Sequence, residues 1–334
     1  MTTEPQSACR QIPKERKAVK RTENPLVSVI ILYHKRATTI LETLDSVARQ
    51  DYANREVILV DNHSEDNLKE LIAPYHSAIR LIELSANSGA TGGRNAGIRA
   101  AHGEILVFLD DDMSFLSDSE LTRIVEMFDH RPNIHVLALK VCDPDTGELR
   151  LREWCHPRSW EQFSETEFET HYFCEGASAL RRTVFDACGL YYEPLFFGAE
   201  GHDLAVRVLD RAFKILYCPQ LRVGHRAAQE GRTSERQYYS YTRNFIWMAY
   251  KNYHVLDGIR YLVPTLLMMF YFTVRSGAYG AFFRGISHGF SGLKQIHADR
   301  TPISKETVKY WAKLEEWRPG VLVRLSRHRA EPQL

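Results

Sequence analysis

Ile105 to Asp112 reads ILVFLDDD, five apolar residues running straight into three carboxylates. A run of that kind is a buried strand that delivers acids to the rim of a sheet. Asp110 and Asp112 form a D-x-D pair, and two hard oxygen donors that close can hold a divalent cation against a diphosphate. By itself the triplet is also compatible with a helix cap or a loop, since Ser114 to Glu120 can start a helix.

The residues before it decide the matter. Val27 to Leu32, VSVIIL, is continuous and β-branched, as in a strand covered on both faces, and a helical stretch follows from about Thr39 to Gln50. Val57 to Val60 is a second strand, ending at Asp61, Asn62 and His63. A helix near Asp66 to Tyr75, a strand near Ile79 to Leu84 and a helix near Thr91 to Ala101 complete a β-α-β-α-β-α-β order. Such alternation predicts an α/β fold with a mostly parallel sheet, whose ligands bind beyond the carboxyl ends of the strands. Tyr33, Asp61, Asn87 and Asp110 all fall there.

Four blocks in this order, PLVSVIILYHKR (Pro25 to Arg36), VILVDNHSED (Val57 to Asp66), NSGATGGRNAGI (Asn87 to Ile98) and ILVFLDDDM (Ile105 to Met113), resemble the inverting glycosyltransferases of family 2, which have the GT-A fold. The resemblance covers roughly Pro25 to Arg226 and is strongest to the branch of bacterial surface-polysaccharide enzymes called rhamnosyltransferase-like, a label that does not establish rhamnose. It implies a nucleotide-diphosphate sugar as donor, a saccharide or lipid-linked saccharide as acceptor, and Mn2+ or Mg2+ as cofactor. It also implies that Asp112 is the direct metal ligand and that Asp110 lies nearer the ribose or a metal-bound water. Asp61 would accept a hydrogen bond from the base. Tyr33, Asn87 and Gly89 would line the nucleotide, with rim packing an equal reading for Tyr33, and Arg94 would lie near the diphosphate. Asp111 receives no role. The glycines between Asn87 and Gly97 do not follow the first strand as G-x-G-x-x-G, so a dinucleotide fingerprint is the wrong inference.

In the second half, CEGASALRR (Cys174 to Arg182) resembles the family's G-A-x-x-L-x-R-R segment, with Gly176 keeping the backbone open beside the sugar and Glu175 an extra acid, able to touch a donor hydroxyl or to serve a structural hydrogen bond. The stretch Phe196 to His225 matches the segment in which relatives carry two adjacent acids, one residue, then Asp-Leu. Here the second acid, often the base, is Gly201. Glu200 is therefore the first candidate for the base and Asp203 the second, the latter also suited to capping the helix Leu204 to Ala212. His225, ending a returning strand, resembles a histidine that completes the metal site, whereas His202 reads as a helix-start residue.

Composition sets the surroundings. A chain of 334 residues with 44% hydrophobic content can bury one large core, and a net charge of +1 selects no partner. Residues 1–24 read as a basic polar leader expected to be disordered, carrying Arg10, Lys14, Arg16, Lys17, Lys20 and Arg21. Residues 25–231 read as the catalytic domain, with a nucleotide-sugar half (25–113) and an acceptor half (114–231). Residues 232–300 form a helical appendage and 301–334 a basic tail with Arg318, Arg324, Arg327 and Arg329. No apolar signal-peptide core follows Met1, and six cysteines without C-x-x-C spacing fit a reducing cytosol. Tyr261 to Val274 is apolar for 14 residues, about 21 Å of helix, which is short of a bilayer core. Bracketed by Arg260 and Arg275 and interrupted by Pro264, it suits a segment lying in the membrane interface, on the inner face, with a buried helix or dimer contact as the alternative. Two other readings stay open: a silent scaffold, favoured by Gly201, and a sugar nucleotidyltransferase, disfavoured because Tyr33 to Ala37 has no glycine. Nothing pairs the basic tails with stacking aromatics, so nucleic acid is not an expected partner.

Overall fold

Strands apolar at every position need cover on both faces, and the computed structural model, which describes residues 24–226 and 234–316, provides it. The first half alternates as read: β1 (Val27–Tyr33), α1 (Ile40–Ala48), β2 (Arg55–Asp61), α2 (Leu68–Leu71), β3 (Ile79–Glu83), α3 (Gly89–Ala100) and β4 (Ile105–Asp110). Successive side chains of a strand point to opposite faces. Along β4, Ile105, Val107 and Leu109 join a core with Leu44 and Ile124, while Leu106 and Phe108 join another with Ile98 and Leu204. The four strands are parallel, with Tyr33 opposite Asp61, Asp61 opposite Glu83 and Leu32 opposite Asp110. Their carboxyl ends are therefore level, and the polar residues there share one rim.

The second half supplies β5 (Met113–Phe115), α4 (Glu120–His130), β6 (Val136–Cys142), α5 (Trp160–Phe163), β7 (Phe168–Thr170), β8 (Ala177–Arg181), α6 (Arg182–Cys188), α7 (Glu200–Asp210) and β9 (Ile215–His225). Among the described residues the sheet has nine strands in the order β3-β2-β1-β4-β8-β6-β9-β5, with β7 on β9. Two pairings matter for the rim. β8 runs antiparallel to β4 with Ala177 opposite Leu109, and β5 runs antiparallel to β9 with His225 opposite Met113.

Helices α8 (Ser234–Asn252), α9 (Val255–Arg275), α10 (Tyr279–Ser291) and α11 (Lys305–Glu315) follow. Two expectations are corrected here. α9 runs 21 residues straight through Pro264, longer than the 14-residue apolar run, because Val255 to Arg260 extends it at the start. Part of the expected tail is a folded helix: Tyr310, Trp311 and Leu314 of α11 pack on the core that holds Leu204. The basic leader up to residue 23, and Arg318, Arg324, Arg327 and Arg329, lie outside the described residues.

The C-terminal helices are tied to α7 through Asp203. This side chain is fully buried and accepts hydrogen bonds from Lys251 Nζ at 2.8 Å and Asn252 Nδ2 at 2.7 Å, both at the end of α8, and from Arg207 Nη2 at 2.8 Å. Burial works against its charge, but Arg207 and Lys251 outweigh it and hold the carboxyl well below the usual range. Asp203→Ala should leave two cations without their buried partner and lower the unfolding free energy by about 3–5 kcal/mol in urea titration; a loss under about 1 kcal/mol would contradict the assignment. Because its folded pKa is depressed, the contribution should be full above about pH 4 and fade as pH falls towards the native value.

Candidate active site

The acid triplet is held by two arginines. Asp110 accepts from Arg94 Nη2 at 2.6 Å, and the other arm of the same guanidinium, Nη1, lies 3.3 Å from Glu200 Oε1. Asp111 and Asp112 share Arg36, whose Nη1 is 2.7 Å from an oxygen of each. Asp111 also accepts from the His34 amide at 2.8 Å, and burial pushes its carboxyl up to about 7 against the pull of Arg36. Arg94 is itself buried. Burial opposes its charge, and Asp110 and Glu200 overcome that opposition, so its pKa is raised.

The pairing of β5 with β9 brings His225 to the triplet. The Arg226 amide donates to the Asp112 carbonyl at 2.8 Å, and His225 Nε2 lies 3.4 Å from Asp112 Oδ2. Its Nδ1 is 2.9 Å from Glu153 Oε1. Burial alone would lower the imidazole pKa; Asp112 and Glu153 outweigh it and raise it to about 9. Among the described residues no three His, Cys, Asp or Glu side chains converge on one point. The Asp112–His225 pair nevertheless suits a dication, since neighbouring ligands of an octahedral ion stand about 3 Å apart and such ions keep sites for phosphate and water.

On the other side of the rim the chain is strained. Phe196, Gly198 and Ala199 all have positive φ just before α7, and Asn244 Nδ2 of α8 holds the turn by donating to the carbonyls of Leu195, Phe197 and Gly198 at 2.9, 2.9 and 2.6 Å. Backbone in this region is held only where its surroundings over-determine it. Gly89, at φ +72°, meets this turn: a Cβ there would lie 2.2 Å from the Phe196 carbonyl oxygen. The result is that Glu200 opens α7, buried, against Arg94. Glu175 lies beside it, before β8, and Gly176 packs so closely that a Cβ on it would stand 2.4 Å from the Asp110 carboxyl carbon.

Of the expected site residues, Asp110, Asp112, His225, Arg94, Glu200, Glu175 and Gly176 meet on this rim. Asp61 closes its own turn by accepting from the Ser64 amide at 2.9 Å. Asn87 Oδ1 accepts from the Gly89 amide at 2.9 Å, and its Nδ2 is 3.1 Å from His34 Nε2. Tyr33 is fully buried and its hydroxyl donates to Asp66 at 2.6 Å, the geometry of the rim-packing alternative. Asp203, the second candidate base, is consumed by Lys251, Asn252 and Arg207. Arg36 and Glu153 were missed; Arg36 follows β1 in a block quoted for its strand, and its position at the strand's end was the available signal.

Comparison with known proteins adds a family. Residues 28–189 match the model of glycosyl transferase family 2. The chain is 36% identical to the succinoglycan biosynthesis protein ExoO of Rhizobium meliloti over 129 residues, covering 38% of this chain and 37% of that protein. It is 25% identical to the O-antigen chain rhamnosyltransferase WbaN of Salmonella anatum over 211 residues, covering 59% and 65%. The chain thus spans less than two thirds of either relative. The mannosyltransferase PcManGT from Pyrobaculum calidifontis, solved with GDP-Man and Mn2+, superposes with a TM-score of 0.56 at 17% identity, over 87% of this chain and 84% of that one.

The His225 imidazole should titrate near pH 9 in the metal-free protein when followed by NMR, and Glu153→Gln should move the midpoint down. A midpoint near the ordinary 6.5 would contradict the geometry. Because the folded pKa is raised, the stabilisation should be complete below about pH 6.5 and lost as pH climbs through about 9.

Proposed function

Since the chain belongs to glycosyltransferase family 2 and has the GT-A fold, we propose that it is a metal-dependent, inverting glycosyltransferase. It moves a sugar from a nucleotide-diphosphate sugar to a saccharide or lipid-linked saccharide in surface-polysaccharide assembly. The observation that carries this reading is the convergence of Asp112 and His225, 3.4 Å apart, at the carboxyl edge of a parallel sheet beside the buried Arg94. The succinoglycan and O-antigen roles of ExoO and WbaN, and GDP-Man with Mn2+ in PcManGT, support the donor class, the cofactor and the setting.

A dication held by Asp112 and His225 would offset the charge that grows on the departing diphosphate. The chain's own residues do the rest. Arg94 is a fixed cation beside Asp110, preorganised by Glu200, and adds a second positive centre for the diphosphate. Asp61, ending β2, and Asn87, between β3 and α3, line the nucleoside side of the rim. Inversion requires one carboxylate to take the proton of the attacking hydroxyl, and outside the acid triplet Glu200 and Glu175 are the carboxylates that the rim offers for it. Asp112→Ala should remove the Mn2+-dependent thermal stabilisation that a nucleoside diphosphate (UDP, dTDP, GDP or CDP) confers on the wild type. Retention of that shift would remove the metal assignment.

A further part of the proposal concerns location. α9 is long and apolar enough to cross a bilayer by length and composition, but its residues divide into two faces. Leu262 and Leu266 pack on Ile246 and Trp247 of α8, whereas Leu256, Ile259, Val263, Leu267, Phe270 and Val274, spaced three or four apart, are exposed, joined by Phe283 and Phe290 of α10. Arg260 and Arg284 stand out beside them, with side chains 80% and 57% exposed. An apolar stripe flanked by cations suits the interface of an anionic membrane better than its interior, which supports a peripheral position, proposed here for the inner face. Leu256→Asp with Leu267→Asp should abolish flotation with vesicles containing phosphatidylglycerol while leaving nucleoside diphosphate binding intact. Undiminished flotation would contradict it.

A further inference from the structure

Gly201 occupies the second position of α7, where a side chain would point into the rim, and the rim has already filled that place. A Cβ on Gly201 would lie 2.1 Å from Glu175 Oε1 and 2.5 Å from its carboxyl carbon. The Gly201 amide donates to the same oxygen at 2.5 Å. A carboxylate therefore stands where a residue at 201 would begin, but it arrives from the segment before β8 instead of from α7. Its neighbour Gly176 is the residue that packs against the Asp110 carboxylate, so Glu175 is one residue from the triplet.

We infer that Glu175 is the base of the transfer, its carboxylate taking the position that the missing side chain at 201 would otherwise serve. The inference rests on the glycosyltransferase reading above. The rivals are committed elsewhere. Asp203 has no exposed surface and three donors. Glu200 is buried with one carboxylate oxygen against the Arg94 guanidinium, where it serves to fix Arg94. Glu175 keeps partial exposure, with Oε1 on the Gly201 amide and Oε2 3.4 Å from the Tyr172 hydroxyl. Burial and then the charge of Glu200 raise its pKa towards the range in which a base works best near neutral pH. In the step, Glu175 accepts the proton of the acceptor hydroxyl as that oxygen bonds to the anomeric carbon. The bond from that carbon to the nucleoside diphosphate breaks with its electron pair on the leaving diphosphate, and the configuration inverts.

A carboxylate on a first-turn amide is also a helix cap, and the experiment separates the two roles. Glu175→Gln keeps an acceptor for the Gly201 amide and the shape of the side chain. The full chain is assayed for nucleoside diphosphate release from UDP-glucose, dTDP-rhamnose and GDP-mannose with Mn2+, with water or a methyl glycoside supplying the hydroxyl. Binding of the parent diphosphates is followed separately by thermal shift. Glu175→Gln should bind like the wild type and release diphosphate about 10²–10⁴-fold more slowly. Glu175→Ala should be equally slow, and Glu175→Ala combined with Gly201→Asp, which returns a carboxylate from α7 into the vacated space, should recover a large part of the rate. Normal turnover by Glu175→Gln overturns the inference, as does a double variant that binds normally yet is no faster than Glu175→Ala. A wild type that binds none of the diphosphates overturns the glycosyltransferase reading and this inference with it.

Discussion

A buried guanidinium cannot remain in a protein interior without paired charge, and Arg94 meets that condition by reaching Asp110 at the end of β4 and Glu200 at the start of α7. This one contact ties α3 and the end of β4 to the start of α7. It requires α7 to begin where it does, which in turn requires the strained turn before it and the glycine at 89 that lets α3 pass beneath. Arg36 does the same for Asp111 and Asp112. Three carboxylates on consecutive residues would repel one another on a bare rim; two arginines from different segments offset that repulsion.

The C-terminal helices belong to this construction. Asn244 holds three carbonyls of the turn that precedes Glu200, and Lys251 and Asn252 hold Asp203 one turn further along α7. The inner face of the helical layer thus positions the first turn of α7, while its outer face carries the apolar stripe. Hydrogen bonds thus link α8 directly to the rim.

The sheet was legible in the sequence because burial on both faces leaves an unmistakable run of β-branched residues, and Asp61, Asp110 and Asp112 were legible because they terminate such runs. His225 was found by its distance after α7, and the pairing of Met113 with His225 supplies the physical reason. What could not be read was direction. Tyr33 sits at a strand end like its neighbours, yet its ring turns into the core and its hydroxyl finds Asp66. Asp203 looks like a helix-start acid with catalytic potential until Lys251, 48 residues away, is seen to neutralise it. Glu175 and Gly201 are 26 residues apart, and only the fold reveals that one fills the absence of the other. The length of α9 is not legible either, because a proline ordinarily interrupts a helix, whereas this one continues through Pro264.

The central claim is that the rim formed by Asp110, Asp112, Arg94 and His225 is where a nucleotide-diphosphate sugar is bound through a dication. It is tested most directly by a crystal structure of the protein with Mn2+ and the nucleoside diphosphate that stabilises it best. The account predicts metal density bridging Asp112 and His225, Arg36 drawn back to Asp111, and diphosphate oxygens completing the coordination beside Arg94. A nucleotide lodged away from this rim, or one bound there with Mn2+ present but no metal at Asp112, would contradict it.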